Sequence, residues 1–488
     1  MGLLSGVSMK RLALYFLGLI LFGLCIAFTL EAGRKLPAPA GGPASISPAD
    51  PNNVAAAASA PSASLLANLR ENFKDPLTRL FLQLIVIVMA ARVCGGLAAK
   101  AGQPSVIGEM VAGILLGPSL LGWLSPGLFN LIFSAPSLGP LRLLSQIGVC
   151  LFMFVVGMEL DVTELKQQAG RAVLISQMSI LFPYTLGVVS AFFLYTSLAG
   201  PHTTFAAFAL FVGISMSITA FPVLARILEE RGLTRTPLGS TALICAATND
   251  VMAWVILALV VAIAKAANIA SAAFNIGLVV AFMLVMLFWI KPLLPRILGS
   301  VAQGGAAPGK GAMAGVIVFM FASALATDVM GIHALFGAFL AGTMMPTHGE
   351  LRDFLKLRLE NFSSVFLLPL FFAFTGLRTQ VGLVSDSSGW ALCAILIAIA
   401  TVGKLGGSML TARMTGASWI DSFALGALMN TRGLVELIAL NIGYDIGIFS
   451  ARIFTMLIIM ALVTTGMTGP LLSLSAFLRT RSLAAKPA

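Results

Sequence analysis

Charged residues are scarce in this sequence: Asp, Glu, Lys and Arg make up 10% of its 488 residues, whereas 58% are hydrophobic. Because soluble domains carry about 25% charged residues, this composition excludes a soluble protein and indicates a membrane protein throughout. The apolar segments are about 20 residues long and are separated by short polar or Gly/Pro-marked breaks, which predicts an all-α polytopic bundle rather than a barrel. The net charge of +11 indicates neither a nucleic-acid partner nor an acidic substrate, since cytoplasmic loops of such proteins are enriched in Lys and Arg.

The sequence also lacks the motifs of common enzymes. It contains no nucleotide-binding loop, no metal-ligand cluster and no nucleophile elbow, so we expect neither an enzyme nor a cofactor. Its five cysteines lie in apolar segments without metal-ligand spacing and are predicted to be small core residues. They are Cys25, Cys94, Cys150, Cys245 and Cys393.

One acidic residue stands near the middle of an apolar run. Thr248, Asn249 and Asp250 interrupt the segment 238–264, and an Asp at the centre of a membrane helix costs roughly 2.5–3.5 kcal/mol even on lenient insertion scales. An intramembrane acid therefore indicates a proton relay, a cation site, or one residue that serves as both. The alternative is an Asp that only forms a hydrogen bond with a neighbouring helix.

The chain divides into four predicted parts. These are an N-terminal membrane helix or signal-anchor (1–35), a flexible extracytoplasmic linker (36–77), a transmembrane domain (78–478) and a short cytoplasmic tail (479–488). Hydropathy places thirteen spans in the transmembrane domain, at 78–99, 104–123, 140–159, 171–197, 204–228, 238–264, 272–298, 311–329, 331–346, 361–377, 388–411, 419–443 and 452–478. Lys and Arg accumulate on alternate loops, which predicts that those loops and the C-terminus are cytoplasmic.

The spans repeat with an offset of seven. Segment 107–117 of the second span resembles 332–342 of the ninth, and the third span ends in a pattern similar to the end of the tenth. An odd offset gives the two halves opposite orientations, which is the inverted repeat of many secondary transporters. The fifth and twelfth spans are interrupted, at Phe221-Pro222 and at 429–433 (MNTRG). Such paired interruptions predict discontinuous helices and a binding site near the membrane midplane.

Half-helices that meet inside a membrane expose partial charges that need compensation. Lys404 is the candidate, because its neighbours Gly403, Gly406 and Gly407 let adjacent helices approach closely. The alternative is a lysine whose side chain extends to the cytoplasmic surface.

Glu109 and the Arg432–Glu436 pair have two interpretations each. Glu109 is expected either to partner Asn249 and a basic residue or to be a helix-end acid near the cytoplasmic boundary. Arg432 and Glu436 are four residues apart and are expected either to pair along one helix or to contact a substrate. His333 is expected to be a packing residue, with a ligand as the alternative. Three acids at predicted outer ends of spans are expected to be solvated: Asp328, Asp386 and Asp445.

Five motifs occur together in the order of one known family. They are 108–119 (GEMVAGILLGPS), 157–161 (GMELD), 218–226 (ITAFPVLAR), 249–251 (NDV) and 430–437 (NTRGLVEL). On these motifs the chain resembles the monovalent cation:proton antiporter-2 family, the plant-type cation/H⁺ exchangers and their bacterial relatives. The resemblance implies a sodium/proton antiporter fold of thirteen helices with inverted repeats, in which a core domain with two crossed discontinuous helices moves against a dimerisation domain. It also implies a homodimer in a bacterial inner membrane.

The resemblance assigns roles position by position. Asp250 matches the cation- and proton-binding aspartate, and Lys404 matches the basic residue of the eleventh span. Asn249 stands where sodium-translocating electrogenic members carry a second aspartate, and Arg432 stands where plant-type exchangers usually have Lys. One titrating carboxylate implies exchange of one cation for one proton. Several relatives carry a nucleotide-regulatory domain, which is not expected here because the chain ends about ten residues after the last predicted span.

We therefore predict an electroneutral antiporter of a monovalent cation (K⁺ or Na⁺) and H⁺, in which both ions compete for Asp250 under alternating access. Thr248 and the backbone near Thr219 are expected to supply further oxygen ligands beside Asn249. The residues expected to compensate charge are Lys404, Glu109, Arg432 and Glu436.

Two other functions are compatible with the pattern. One is a sodium-coupled symporter in which Arg432 holds the carboxylate of an organic anion. The other is a cation channel or sensor, which the lack of a filter-like sequence or a charged ring disfavours. The expected partners are the cation, H⁺, the lipid bilayer and a second copy of the chain.

Overall fold

The structure is a computed structural model that describes residues 9–33, 75–159, 169–266, 269–294, 310–331, 333–346 and 350–484. These ranges are helical, with one antiparallel bridge between Ala199 and Phe449 and no strand. The predicted linker falls almost wholly outside the described residues, as does the end of the predicted tail (485–488).

Helices follow one another with short connections. Those of the first half are α1 (Met9–Gly33), α2 (Pro76–Lys100), α3 (Ser105–Leu116), α4 (Leu138–Glu159), α5 (Ala169–Leu198), α6 (Phe205–Ser217), α7 (Phe221–Glu230) and α8 (Pro237–Ala264). Two short helices, Leu121–Leu124 and Pro126–Ile132, lie between α3 and α4. Those of the second half are α9 (Ile269–Val285), α10 (Lys310–Val329), α11 (Ala334–Thr343), α12 (Glu350–Phe362), α13 (Leu368–Leu377), α14 (Ser387–Thr401), α15 (Gly407–Met414), α16 (Trp419–Met429), α17 (Leu434–Asp445) and α18 (Ala451–Ala484). Wider π-helical turns extend α9 (Met286–Ile290) and join α12 to α13 (Ser363–Leu367) and α14 to α15 (Val402–Gly406).

Eleven helices in the described ranges are long and apolar enough to cross a membrane, and α16 with α17 makes a twelfth span that is bent by 45°. The predicted ninth span, 331–346, is wrong in length, because its helix α11 has only 10 residues. Gly331, in the left-handed region at φ 79°, follows α10, and His333 caps the start of α11. Ten residues rise about 15 Å, which is about half the thickness of the hydrocarbon core.

The predicted tenth span began at 361, whereas its helix begins at Glu350. The charged residues of 350–360 weaken the hydropathy signal, so the start of the span was predicted too late in the chain. The helix continues through them because it is amphipathic there: Leu355 and Leu359 are buried at 1% and 6% exposure, while the charged side lies away from the core.

The helices pack as two groups. In the first, which we call the scaffold (α2, α3, α4 and α10 to α13), α4 packs on α11 and α13, and α3 packs on α2 and α13. In the second, which we call the core bundle (α5 to α8 and α14 to α18), α5 packs on α6, α8 and α15, and α18 packs on α14 and α16. The N-terminal helix α1 packs on α5 and α6, where the Phe22 and Phe182 rings are 4.9 Å apart.

Two glycine crossings hold the scaffold together at equivalent places in the two repeats. A Cβ at Gly113 of α3 would lie 2.4 Å from the Ala373 carbonyl oxygen of α13, and a Cβ at Gly157 of α4 would lie 2.2 Å from the Phe339 carbonyl oxygen of α11. Only glycine permits this backbone approach. One crossing joins the second span to the tenth, and the other joins the third span to the ninth. An offset of seven spans maps one crossing onto the other, as an inverted repeat requires.

Candidate ion-binding site

The fifth span is broken at residues 218–220. Helix α6 ends at Ser217, Ile218 and Ala220 have extended backbone, and α7 begins at Phe221 with Pro222 in its first turn. Proline is tolerated there because the first turn of a helix has no intrahelical partner for its N–H groups. Pro222 therefore starts a new half-helix rather than kinking a continuous one.

The twelfth span is broken at residues 430–433, between α16 and α17. The two breaks cross, because the Ala220 N–H donates to the Thr431 carbonyl oxygen at 3.1 Å. The Thr219 hydroxyl donates to the carbonyl oxygen of Met429, the last residue of α16, at 2.9 Å. Each break thus satisfies backbone groups that the other leaves without an intrahelical partner.

Two buried cations bind the carbonyl end of α6. The Arg432 guanidinium donates to the carbonyl oxygens of Ser215 and Met216, both at 2.9 Å, and the Lys404 ammonium donates to that of Ser217. These carbonyls form the negative end of the α6 dipole. The positive charges of Lys404 and Arg432 therefore stabilise a helix terminus that would otherwise be exposed to hydrocarbon.

Lys404 lies within the π-helical turn Val402–Gly406 and is fully buried. Besides the Ser217 bond, its ammonium donates to the Ser179 carbonyl oxygen of α5 at 3.0 Å. The preceding glycine makes this reach possible, since a Cβ at Gly403 would lie 2.9 Å from the Pro183 Cα atom of α5. The side chain points into the core bundle and does not extend to the membrane surface.

Asp250 of α8 is fully buried beside the amide end of α7. Its Oδ2 atom accepts a hydrogen bond from the Phe221 N–H at 3.3 Å, which places a carboxylate at the positive end of a helix dipole. Its Oδ1 atom has no hydrogen-bond partner among the described residues. Because buried polar atoms are almost always satisfied, Oδ1 is the atom of this carboxylate that is available to a ligand.

Asn249 uses both ends of its amide to join helices. Its Oδ1 atom accepts from the Thr219 N–H at 3.0 Å, and its Nδ2 atom donates to the Ser179 hydroxyl at 3.0 Å. The expected contact between Asn249 and Glu109 is not formed, because the Asn249 amide is occupied by these partners. Glu109 instead lies near the start of α3, half-buried, as the helix-end alternative predicts.

Thr248 does not face the Asp250 carboxylate. Residues two apart in a helix differ by about 200° around its axis, and the Thr248 hydroxyl donates to the Ile244 carbonyl oxygen of its own helix at 2.8 Å. The structure therefore brings together Asp250, Asn249 and Thr219 but not Thr248.

Arg432 and Glu436 form the local pair that their spacing allows, with 3.0 Å between the Arg432 Nη1 and Glu436 Oε1 atoms. Both side chains are essentially fully buried. Since the Arg432 guanidinium also holds two carbonyls of α6, the pair belongs to the crossing of the broken helices.

Two cavities open near the site at one end of the bundle, which we call the inner end and define by Glu229 and the end of α18. A cavity of about 600 Å³ between α4 and α7 reaches Phe221 and Pro222. A second, of about 180 Å³, reaches Pro222, Glu109 and Arg226. The first cavity therefore reaches Phe221, whose N–H group binds Asp250, and the second reaches the adjacent Pro222.

Sequence reasoning missed two parts of this site. Ser179 accepts from both Lys404 and Asn249, but a serine in an apolar helix carries no distinctive signal. The π-helical turn at Lys404 was also missed, although the cluster of glycines around it is the type of signal that could have indicated an irregular turn.

The comparisons with known proteins agree on one family. The family model described as "Sodium/hydrogen exchanger, transmembrane" matches residues 84–478. The chain is 44% identical to the Na(+)/H(+) antiporter NhaS4 of Synechocystis, over 80% of this chain and 95% of that protein. It is 39% identical to cation/H(+) antiporter 17 of Arabidopsis thaliana and 33% identical to K(+)/H(+) antiporter 1 of Saccharomyces cerevisiae, and it spans 48% and 47% of their lengths. The solved structure of the sodium proton antiporter MjNhaP1 of Methanocaldococcus jannaschii aligns with a TM-score of 0.57 at 16% identity, over 82% of this chain and 98% of that one.

Proposed function

This chain belongs to the sodium/hydrogen exchanger family, and we propose that its exchange of a monovalent cation for a proton takes place at Asp250. The observation that carries the proposal is the burial and hydrogen bonding of this carboxylate. It is fully buried, one oxygen is held by the amide end of α7, and the other has no partner among the described residues. A carboxylate with one uncommitted oxygen binds either a proton or a cation, so the two ions exclude each other there.

Hard monovalent cations prefer oxygen ligands, and the break supplies them next to the carboxylate. The carbonyl oxygens of Ile218 and Thr219 accept no hydrogen bond from the described residues. We infer that these carbonyls, together with Asp250 Oδ1 and water, replace part of the hydration shell of the cation.

The buried charges support a stoichiometry of one cation for one proton. Lys404 and Arg432 contribute two positive charges, and Asp250 and Glu436 contribute two negative charges, so the set is neutral when Asp250 is ionised. Binding of either ion adds one positive charge to this set. The core bundle therefore carries the same net charge whether it is loaded with the cation or with the proton. Exchange of one for the other is then electroneutral.

Alternating access follows from the two groups of helices. Asp250 lies in the core bundle, and the inner cavities run between the core bundle and the scaffold. We propose that the inner end is cytoplasmic, since the basic loops lie there, that the protein is a homodimer, and that it resides in a bacterial inner membrane. Displacement of the core bundle against the scaffold would then open Asp250 to the opposite side.

The sodium-coupled symporter finds no support among these relatives, which are named antiporters. The geometry also argues against it. The Arg432 side chain that was to hold an organic anion is buried and bound to Glu436 and to two backbone carbonyls.

The test is Asp250→Asn in proteoliposomes, with acridine-orange dequenching on addition of Na⁺ and K⁺ in turn. We expect exchange to be abolished, because an amide binds neither ion as a carboxylate does, while the purified variant keeps its size-exclusion profile. In the parent protein, a tenfold rise in cation concentration should move the acid limb of the pH profile down by up to about one pH unit, because the ions compete.

Asp386→Asn is the matched control, since this acid is half exposed at the opposite end of the bundle. It should exchange like the parent. Parental activity in Asp250→Asn would overturn the assignment of the site.

A further inference from the structure

The end of the bundle opposite the inner cavities, which we call the outer end, carries a cluster of charges that the exchange site does not use. We propose that Asp445, held by Arg378 and Arg142, is an outer latch that keeps Asp250 closed to the outer side while it faces the inner cavities. This inference rests on the proposed exchange by alternating access.

The latch joins the core bundle to the scaffold. Asp445 is the last residue of α17, in the core bundle, whereas Arg378 directly follows α13 and Arg142 lies near the start of α4, both in the scaffold. The Arg142 Nη2 atom lies 3.1 Å from Asp445 Oδ2, and the Arg378 guanidinium binds Asp445 Oδ1. Each oxygen of one core-bundle carboxylate is thus bound by a different scaffold arginine.

The side chains of the Asp445–Arg378 pair are more buried than those of the exposed ion pairs that contribute little to stability. The Asp445 and Arg378 side chains are 16% and 17% exposed, although the Asp445 residue as a whole is exposed at the end of α17, as expected from the sequence. The Arg378 guanidinium also lies 4.5 Å from the ring centre of Tyr444, on the same core helix as Asp445. Partial burial and this cation–π contact strengthen the attraction.

A second row of contacts crosses the same boundary one turn deeper. The Arg378 Nη1 atom donates to Asn441 Oδ1 of α17 at 2.9 Å, and Asn441 Nδ2 donates to the Thr375 hydroxyl of α13 at 2.8 Å. The space beneath is small: the cavity that Arg142, His333 and Ser145 line holds about 30 Å³. The outer end therefore offers far less space than the inner cavity of about 600 Å³.

An aromatic contact near Asp250 also joins the core bundle to the scaffold. Trp254 is four residues after Asp250 in α8, so the two share a face of the helix. Its ring stacks on that of Phe339 in the scaffold, with 5.5 Å between ring centres. The outer closure therefore has an apolar layer next to the carboxylate and an ionic layer at the rim.

Movement of the core bundle relative to the scaffold would separate the partners of both rows, since every one of these contacts joins the two groups. A second ion pair at the outer end provides the contrast. Arg452 and Asp386, with 2.5 Å between Nη2 and Oδ1, both belong to the core bundle, at the starts of α18 and α14. They would move together and hold no gate.

Accessibility of a single cysteine tests the latch independently of transport. In a background with the five native cysteines replaced by serine, Ser145→Cys places a thiol in the small outer cavity, at a position that is 1% exposed. A membrane-impermeant methanethiosulfonate reagent is added to the outside of intact cells, and the labelling rate is compared with and without Asp445→Asn. We expect Asp445→Asn to speed labelling by about tenfold, as the loss of a charged hydrogen bond would.

Asp386→Asn is the matched control and should leave the labelling rate unchanged. Asp445→Glu keeps the charge and should label at a rate within about twofold of the parent. An unchanged rate in Asp445→Asn would overturn the latch, and so would an equal increase in Asp386→Asn, which would indicate general loosening. Because Asp250 is intact in all these variants, a failure of the latch leaves exchange at Asp250 measurable and untouched.

Discussion

The two broken helices have the same backbone plan but different chemistry. In the fifth span, the carbonyl end of α6 is bound by two cations from other spans, Lys404 and Arg432, and the amide end of α7 meets Asp250 from α8. In the twelfth span, the last carbonyls of α16 accept from hydroxyl groups, those of Thr219 and Thr431. The helix ends of the fifth-span break are therefore bound by charges from other helices, whereas the last carbonyls of α16 are bound by neutral groups.

On our proposal, this difference separates the break at which ions exchange from the break that only supports it. Charged side chains from other helices interact with an ion bound among them, because the net charge of the buried set changes when Asp250 is neutralised. Hydroxyl groups that cap a helix end do not contribute to that net charge. We therefore propose that the inverted repeat supplies symmetric backbone geometry and that the asymmetric side chains decide which break binds the ion.

The largest expected effect comes from removing a cation from the fifth-span break. Lys404→Met leaves the Ser217 and Ser179 carbonyls without a donor and leaves Asp250 without its nearest positive charge in the set. We expect exchange to fall by about a hundredfold or more, since uncompensated buried groups cost several kcal/mol. Proteoliposome exchange measures the loss.

The matched control is Lys100→Met, which removes an exposed lysine at the end of α2 and should leave exchange unchanged. Exchange in Lys404→Met within threefold of the parent would mean that the two breaks are chemically equivalent and that the comparison is wrong.

The sequence was sufficient to predict the parts of this comparison that involve rare residues. A proline, an Asn-Thr-Arg-Gly run and a lysine stand out within apolar spans, so the two breaks could be placed and Lys404 and Asp250 could be singled out. The partners of these residues could not be predicted. Ser179 lies 225 residues from Lys404 in the chain, and only the packing of α5 against the π-helical turn brings them together.

The outer end shows the same limit in another form. Asp445 at the end of a span has the sequence signature of a solvated acid, and its partner Arg378 is 67 residues away in the chain. Which charges meet at a helix end depends on how two helix groups pack, and hydropathy contains no information on that. The length of α11 was overestimated for a similar reason, because local backbone at Gly331 and His333 rather than hydropathy sets its start.

A smaller effect is expected from adding a charge to the same break. Asn249→Asp gives the buried set a net charge of minus one when both carboxylates are ionised. The variant should then translocate net charge, and we expect weak exchange with a current that responds to imposed voltage, whereas the parent shows none. Solid-supported-membrane recordings measure the transport current across a voltage series. When Na⁺ is the substrate, valinomycin imposes the voltage as a potassium diffusion potential.

Asn249→Ala separates charge from hydrogen bonding in that test, because it removes the bonds to Thr219 and Ser179 and adds no charge. It should show no current. A current in the parent would contradict the one-for-one exchange, and a current in the alanine variant would show that voltage dependence does not come from the second carboxylate.

The smallest effect is expected at the twelfth-span break. The Thr431 hydroxyl donates to the Leu428 carbonyl oxygen at 2.7 Å and lies 3.4 Å from the Thr468 hydroxyl, so Thr431→Val removes only neutral hydrogen bonds and conserves shape. We expect the free energy of unfolding to fall by about 1 kcal/mol, measured as a lower midpoint of thermal denaturation in detergent, and exchange to stay within about twofold of the parent. A loss of exchange as large as that of Lys404→Met would mean that neutral caps contribute to the ion site as strongly as the cations do. The asymmetry between the two breaks would then lie in backbone geometry rather than in charge.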